Sequence, residues 1–233
     1  MSALPTAMPA TPVPLAAATR RLRWLELGLL FGLLPGLISL GPRWILLVVI
    51  MTGGAICLAL LLADSSFDRR QLWNSGGLLR GWRGLLWRAV FVGAGLLIVA
   101  WWSRGTAGLF YLPRQRPLIW LGIVVLYPFF SVYPQELMYR TFFFHRYGRL
   151  FARPRSLIAV NGLLFGWSHI IVHHRVAILL ASVGGWLFAW TYQRWRSTAL
   201  VALEHGLYGD FIFSVGIGGM FVNGVRLLSH LFK

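Results

Sequence analysis

Three ionisable residues, Glu136, His169 and His205, stand inside apolar stretches of this chain, accompanied by Arg140, Glu204 and Asp210. A charged side chain near the centre of a membrane helix costs about 3 kcal/mol or more, so such groups persist when paired, wetted or functional. A carboxylate and two imidazoles have the chemistry to hydrolyse an amide. A base takes a proton from water, and a donor stabilises the oxyanion that forms on the carbonyl. One imidazole shares the water and the other serves the oxyanion.

Glu136 and Arg140 are four residues apart and share a helix face, with the acid on the N-terminal side, the favoured order for a pair. Pro134 lacks an N–H and crowds the carbonyl of Phe130, which predicts a bend one turn before the acid. Such a bend opens room for water and a substrate backbone. A plainer reading makes Glu136 and Arg140 a packing lock and His169 a core histidine bonded to a neighbouring helix. His205 would then pair with Glu204 near the interface.

The elements that position these residues are membrane helices. The chain has 233 residues, 58% of them hydrophobic and only 12% charged. Soluble domains carry about a quarter charged residues, so this composition makes lipid the solvent for much of the chain. Apolar runs long enough to span occur at about 24–40, 44–63, 86–102, 118–134, 157–172, 176–193 and 198–219, with a weaker one at 220–232. The expectation is an all-α transmembrane bundle of seven or eight spans. Residues 1–19 read as a disordered tail, and 20–233 as the transmembrane domain. The arginines before the first run and the absence of a small-residue cleavage site make that run a retained helix rather than a signal peptide.

The fourth run is expected to continue as one helix from Leu118 to about Gly148, which leaves Glu136 roughly 18 Å from its cytoplasmic end. His169 then lies roughly 20 Å into the fifth run and His205 roughly 14 Å into the seventh. Three helices thus bring one ionisable group each to a common layer.

The chain has 22 Lys+Arg against 6 Asp+Glu, a formal net charge of +16. The basic residues lie between the apolar runs, where they hold loops inside and touch anionic lipid, so nucleic acid is not an expected partner. With the N-terminus cytoplasmic, fourteen arginines between Arg20 and Arg196 fall in inner loops, against Arg43, Arg104, Arg114, Arg116 and Arg175 outside. Arg/Trp/Ala-rich usage with a single lysine hints at a GC-rich genome; the location expected, as a separate matter, is a bacterial inner membrane. Cys57 is the single cysteine, which excludes an intrachain disulfide and a CxxC metal motif.

Taken together, the residues resemble the CPBP family of intramembrane proteases, the CAAX-processing and bacteriocin-processing group. Its motifs, EExxxR, FxxxH and HxxxN, correspond to Gln135-Glu136-Leu137-Met138-Tyr139-Arg140, Phe165-Gly166-Trp167-Ser168-His169 and His205-Gly206-Leu207-Tyr208-Gly209-Asp210. The resemblance covers about 115–220 and implies a glutamate-dependent, cofactor-free endopeptidase acting on a membrane-associated protein or peptide. It implies catalytic roles for Glu136, His169 and His205, with Arg140 and Asp210 supporting.

Two departures bear on mechanism. The first glutamate of the family's pair is Gln135, which cannot act as a base, so Glu136 takes that role or activity is lost. Gly209 stands where the family usually has Asn, with Asp210 next to it. An ionised Asp210 would repel an oxyanion, and only a protonated one could donate to it.

Other readings stay open on sequence. Glu136, His169 and His205 could ligate catalytic zinc, since two histidines and a carboxylate suit an open zinc site. With Gln135 marking a lost base, the chain could be an inactive protease-fold scaffold or chaperone. Intramembrane acids and histidines also occur in transporters. His173, His174 and Arg175 read as an interfacial turn more than a metal site, and Asn161 as a helix–helix hydrogen bond. Gly184 and Gly185 read as a close helix contact. The sequence sets no oligomeric state.

Overall fold

The computed structural model describes residues 16–222, and these are helical with no strand among them. Most of the expected tail and the part of 220–232 beyond residue 222 lie outside the described residues. Residues 17–19, assigned to the tail from sequence, open the first helix instead.

The helices are α1 (17–38), α2 (Leu46–Ala63), α3 (Ser75–Gly108), α4 (Pro117–Leu150), α5 (Pro154–Ser168), α6 (Arg175–Trp195) and α7 (Thr198–Ser214). Five helical stretches are long and apolar enough to cross a membrane: Leu46–Ala63, Arg69–Gln115, Pro117–Leu150, Pro154–Val172 and Arg175–Trp195. By length and composition, then, five of the seven or eight expected spans stand out among the described residues. Helix α1 spends its first turns on Arg20, Arg21, Arg23 and Glu26, and α7 is 17 residues long. Both therefore fall short as independent apolar spans.

The expected long helix through Glu136 is present as α4, widened twice by π turns at Pro128–Val132 and Leu137–Phe142. The first lies where Pro134 would crowd the Phe130 carbonyl, so the chain relieves the clash by enlarging the turn. Helix α1 repeats the device, with a π turn at Gly28–Leu33 just before Pro35.

The surface is inverted relative to a soluble protein. Leu118, Phe91 and Phe129 are exposed while Glu136 and Arg140 are fully buried. With no hydrophobic drive between helices in lipid, close packing depends on small residues. A Cβ on Gly54 of α2 would lie 2.7 Å from Cβ of Pro134, so the acid-bearing turn of α4 sits directly on α2. Gly185 of α6 is similarly tight, its Cβ position 2.9 Å from the Gly162 carbonyl of α5. This is the close contact read from the glycine pair; Gly184 meets only the Phe188 ring.

Polar ties hold the ends of the helices. Arg146 binds Glu26 through two 2.9 Å contacts, and the Tyr147 hydroxyl donates to the same carboxylate. Just past α2, Asp64 meets His145 of α4 at 2.9 Å and accepts from Ser66. The His145 contact, then Ser66, hold the Asp64 carboxyl well below the usual carboxylate range. A lowered carboxyl contributes stability above the ordinary aspartate value of about 4, and that contribution is lost as pH falls through the lowered value.

Candidate active site

Glu136 ends a short α-helical turn of α4, between the two π turns, and is fully buried. Its Oε1 accepts from Nδ1 of His205 on α7 at 2.8 Å. Its Oε2 lies 3.2 Å from Nε of Arg140, one turn further along the same helix. The charges touch without good hydrogen-bond alignment, since Oε2, Nε and Nη1 have no hydrogen-bond partner among the described residues. Arg140 is instead seated between aromatic faces. Its guanidinium carbon is 4.3 Å from the Phe165 ring centre and 5.4 Å from that of Phe188. Nη2 donates a long hydrogen bond to the Gly185 carbonyl, 3.4 Å away.

A carboxylate can only accept, so Nδ1 of His205 carries the hydrogen and Nε2 keeps its lone pair. Nε2 lies 3.2 Å from the Tyr127 hydroxyl, which donates to it. The imidazole stacks on Phe188 with ring centres 4.7 Å apart and planes inclined by 20°. These contacts fix both the tilt and the tautomer of the ring.

His169 caps α5, and its Nδ1 donates to the Phe165 carbonyl at 2.9 Å, again leaving Nε2 as an acceptor. Its ring packs on Phe165, which on another edge meets His205. No hydrogen bond joins His169 to Glu136 among the described residues. Both histidines line a cavity of about 550 Å³ between the helices, whose walls are otherwise largely apolar. Glu136 and Arg140 do not reach that cavity and stand behind His205.

Asp210 is five residues beyond His205, about 140° further round α7, and does not hydrogen-bond to Glu136, His205 or His169 among the described residues. Its Oδ1 is buried without a partner. Gln135 donates to Ser131 at 2.8 Å. Asn161 donates to the Tyr139 carbonyl of α4 at 2.6 Å, the interhelical bond expected of it. Among the described residues no three His, Cys, Asp or Glu side chains form a group able to hold a metal ion. Nε2 of each histidine is open, but Glu136 stands behind His205, bonded to its Nδ1, and does not reach the cavity to complete a three-ligand set.

Glu204 does not pair with His205, as the interfacial reading supposed. It is fully buried and accepts from Arg88 of α3 at 2.7 Å, Thr191 of α6 at 2.6 Å and Tyr208 at 2.9 Å. This second polar knot locks three helices beside the site. Replacing Arg88 with Leu strands a buried carboxylate and is expected to cost about 3 kcal/mol or more. Thermal unfolding in detergent would show a clearly lowered midpoint, and an unchanged one would remove the knot's structural role.

Tyr127 and Phe188 are the site residues that the sequence did not flag. Tyr127 lies in an apolar run with no charged neighbour, and a mid-span tyrosine was its one visible signal.

An acid–imidazole pair thus stands beside an apolar cavity in a bundle whose helices are long and apolar enough to cross a membrane. Residues 113–209 match the family model described as Rce1-like, type II CAAX prenyl endopeptidase Rce1-like. The segment that carries the site is thus CAAX protease-like, in agreement with the resemblance drawn from the three motifs. No curated protein and no solved structure matches the chain.

Proposed function

We propose that this protein is an intramembrane endopeptidase that hydrolyses a peptide bond of a membrane-associated or lipid-embedded protein through a water activated by Glu136 acting with His205. The observation that carries the reading is the 2.8 Å contact between Glu136 and His205, behind an imidazole that faces an apolar cavity within the bundle. Water at Nε2 of His205 gives up a proton as its oxygen bonds to the substrate carbonyl carbon. Glu136 stabilises the imidazolium that results, and Arg140 braces Glu136 from one turn along the same helix. Nε2 then returns the proton to the amide nitrogen as the C–N bond breaks. Gln135 takes no part, and Glu136 acts on the water through the imidazole of His205, which receives the proton.

His169, on the opposite side of Phe165, lines the same cavity and offers an acceptor to the water or to the substrate amide. His169→Ala is expected to lower cleavage at least about 100-fold while the protein remains inserted and abundant. Turnover at the normal rate would take His169 out of the chemistry. Asp210 has a lesser, supporting role in this reading. Helices α1 and α7 complete seven membrane-embedded elements, with the N-terminus cytoplasmic in a bacterial inner membrane. The family match favours an enzyme over an inactive scaffold.

The test compares membrane proteomes of cells that lack the protein, carry it, or carry Glu136→Gln. A shortened chain present only with the wild type supports the peptidase, and identical profiles in all three strains overturn it.

A further inference from the structure

Hydrolysis at His205 requires a donor for the oxyanion, and most polar side chains around the cavity are already committed. Tyr208 donates to Glu204, and Ser131, which accepts from Gln135, lies one turn beyond Tyr127 and makes no hydrogen bond to His205 among the described residues. His169 presents a bare Nε2, an acceptor. Arg140 does not reach the cavity. Tyr127 does reach it, and its neutral hydroxyl is directed at Nε2 of His205, 3.2 Å away.

The place that Tyr127 occupies is set by a glycine. Position 209 is one turn beyond His205 on α7, where the third motif of the resembled family has Asn. Here it is Gly209, and a Cβ added there would lie 2.7 Å from the Tyr127 hydroxyl oxygen and 2.9 Å from Cζ. The phenol therefore fills the space that any side chain at 209 would need. Position 209 of α7 thus offers no polar side chain, and the Tyr127 hydroxyl of α4 stands in the space beside it.

We propose that Tyr127 is a catalytic residue whose hydroxyl donates to the substrate carbonyl oxygen as it becomes an oxyanion, supplying the donor that Gly209 lacks. This rests on the peptidase reading above. In the resting protein the hydroxyl donates to Nε2 of His205. Entry of water and substrate breaks that bond, freeing Nε2 to accept the water's proton and the hydroxyl to meet the carbonyl oxygen. The Tyr127 O–H bond stays intact throughout, and the proton that moves is the water's. Waiting on Nε2 in this way keeps both groups aimed at one point of the cavity, the preorganisation that gives oxyanion donors their effect.

Tyr127→Phe keeps the ring that packs on Gly209 and removes only the hydroxyl. Losing one oxyanion donor lowers turnover by about 10²–10³-fold. The assay reconstitutes purified protein with membranes from cells lacking it and counts new peptide termini over time. Tyr127→Phe is expected to fall to a hundredth of the wild-type rate or less, with an unchanged unfolding midpoint. Tyr127→Ala with Gly209→Asn, which moves the donor onto α7, is expected to cleave faster than Tyr127→Ala alone. Tyr127→Phe working at the wild-type rate while Glu136→Gln is inactive overturns the role of Tyr127 alone. Glu136→Gln working at the wild-type rate overturns both readings.

Discussion

Glu136→Gln is expected to reduce cleavage by about 10³-fold or more, the scale of loss when the carboxylate that orients a catalytic imidazole is neutralised. Gln is nearly isosteric and keeps an oxygen for Nδ1 of His205, so the imidazole stays in place. What disappears is the negative charge that balances the imidazolium in the transition state. The same change leaves Arg140 buried without its counter-ion, and breaking a buried pair costs about 3–5 kcal/mol. Guanidinium contacts with Phe165 and Phe188 remain and soften that penalty. Glu136→Gln combined with Arg140→Met removes both charges. If the double variant folds as stably as the wild type and is still inactive, the loss belongs to chemistry rather than to an orphaned arginine.

His205→Ala is expected to have a comparable effect for a different reason. It deletes the ring that reaches the cavity, so the water loses its proton acceptor and Glu136 no longer acts on it through the imidazole. It also opens space beside Phe188 and removes the hydrogen-bond partner of Tyr127. In the proposed mechanism Glu136 and His205 work as a unit, so the double variant Glu136→Gln/His205→Ala should be scarcely slower than either single one. Rates measured on one substrate pool would show this non-additivity. Multiplicative losses would mean that the two groups act on separate steps.

Much of the site was legible before any coordinates. The four-residue spacing of Glu136 and Arg140 set their contact, and the depth argument brought His205 to Glu136 from another helix. Depth alone did not fix direction. His169 shares the cavity but faces a carbonyl of its own helix, and Glu204, adjacent to His205, turns towards Arg88 instead. Neighbours in sequence on a helix are about 100° apart, so Glu204 and His205 serve different helix interfaces.

Tyr127 escaped for a related reason. In an uninterrupted α-helix, nine residues rotate by about 900°, which puts Tyr127 and Glu136 on opposite faces. The π turn at Pro128–Val132 absorbs an extra residue and brings them to about 80° of each other. Pro134 announced a distortion in the sequence, but its form was not readable there. The span count is least secure where polar residues interrupt helices that are packed in the bundle. Counting apolar runs treats α1 and α7 as independent spans, although the first carries Glu26 for Arg146 and the second carries the site itself.

The most direct trial of the Glu136–His205 water pair uses purified wild-type protein and Glu136→Gln, each in liposomes fused with membranes from cells lacking the protein, in water enriched in oxygen-18. With wild type, new carboxyl termini at or beside apolar segments should carry one heavy oxygen, and with Glu136→Gln they should be absent. Equal labelled termini from both preparations, or none from either, would contradict the account.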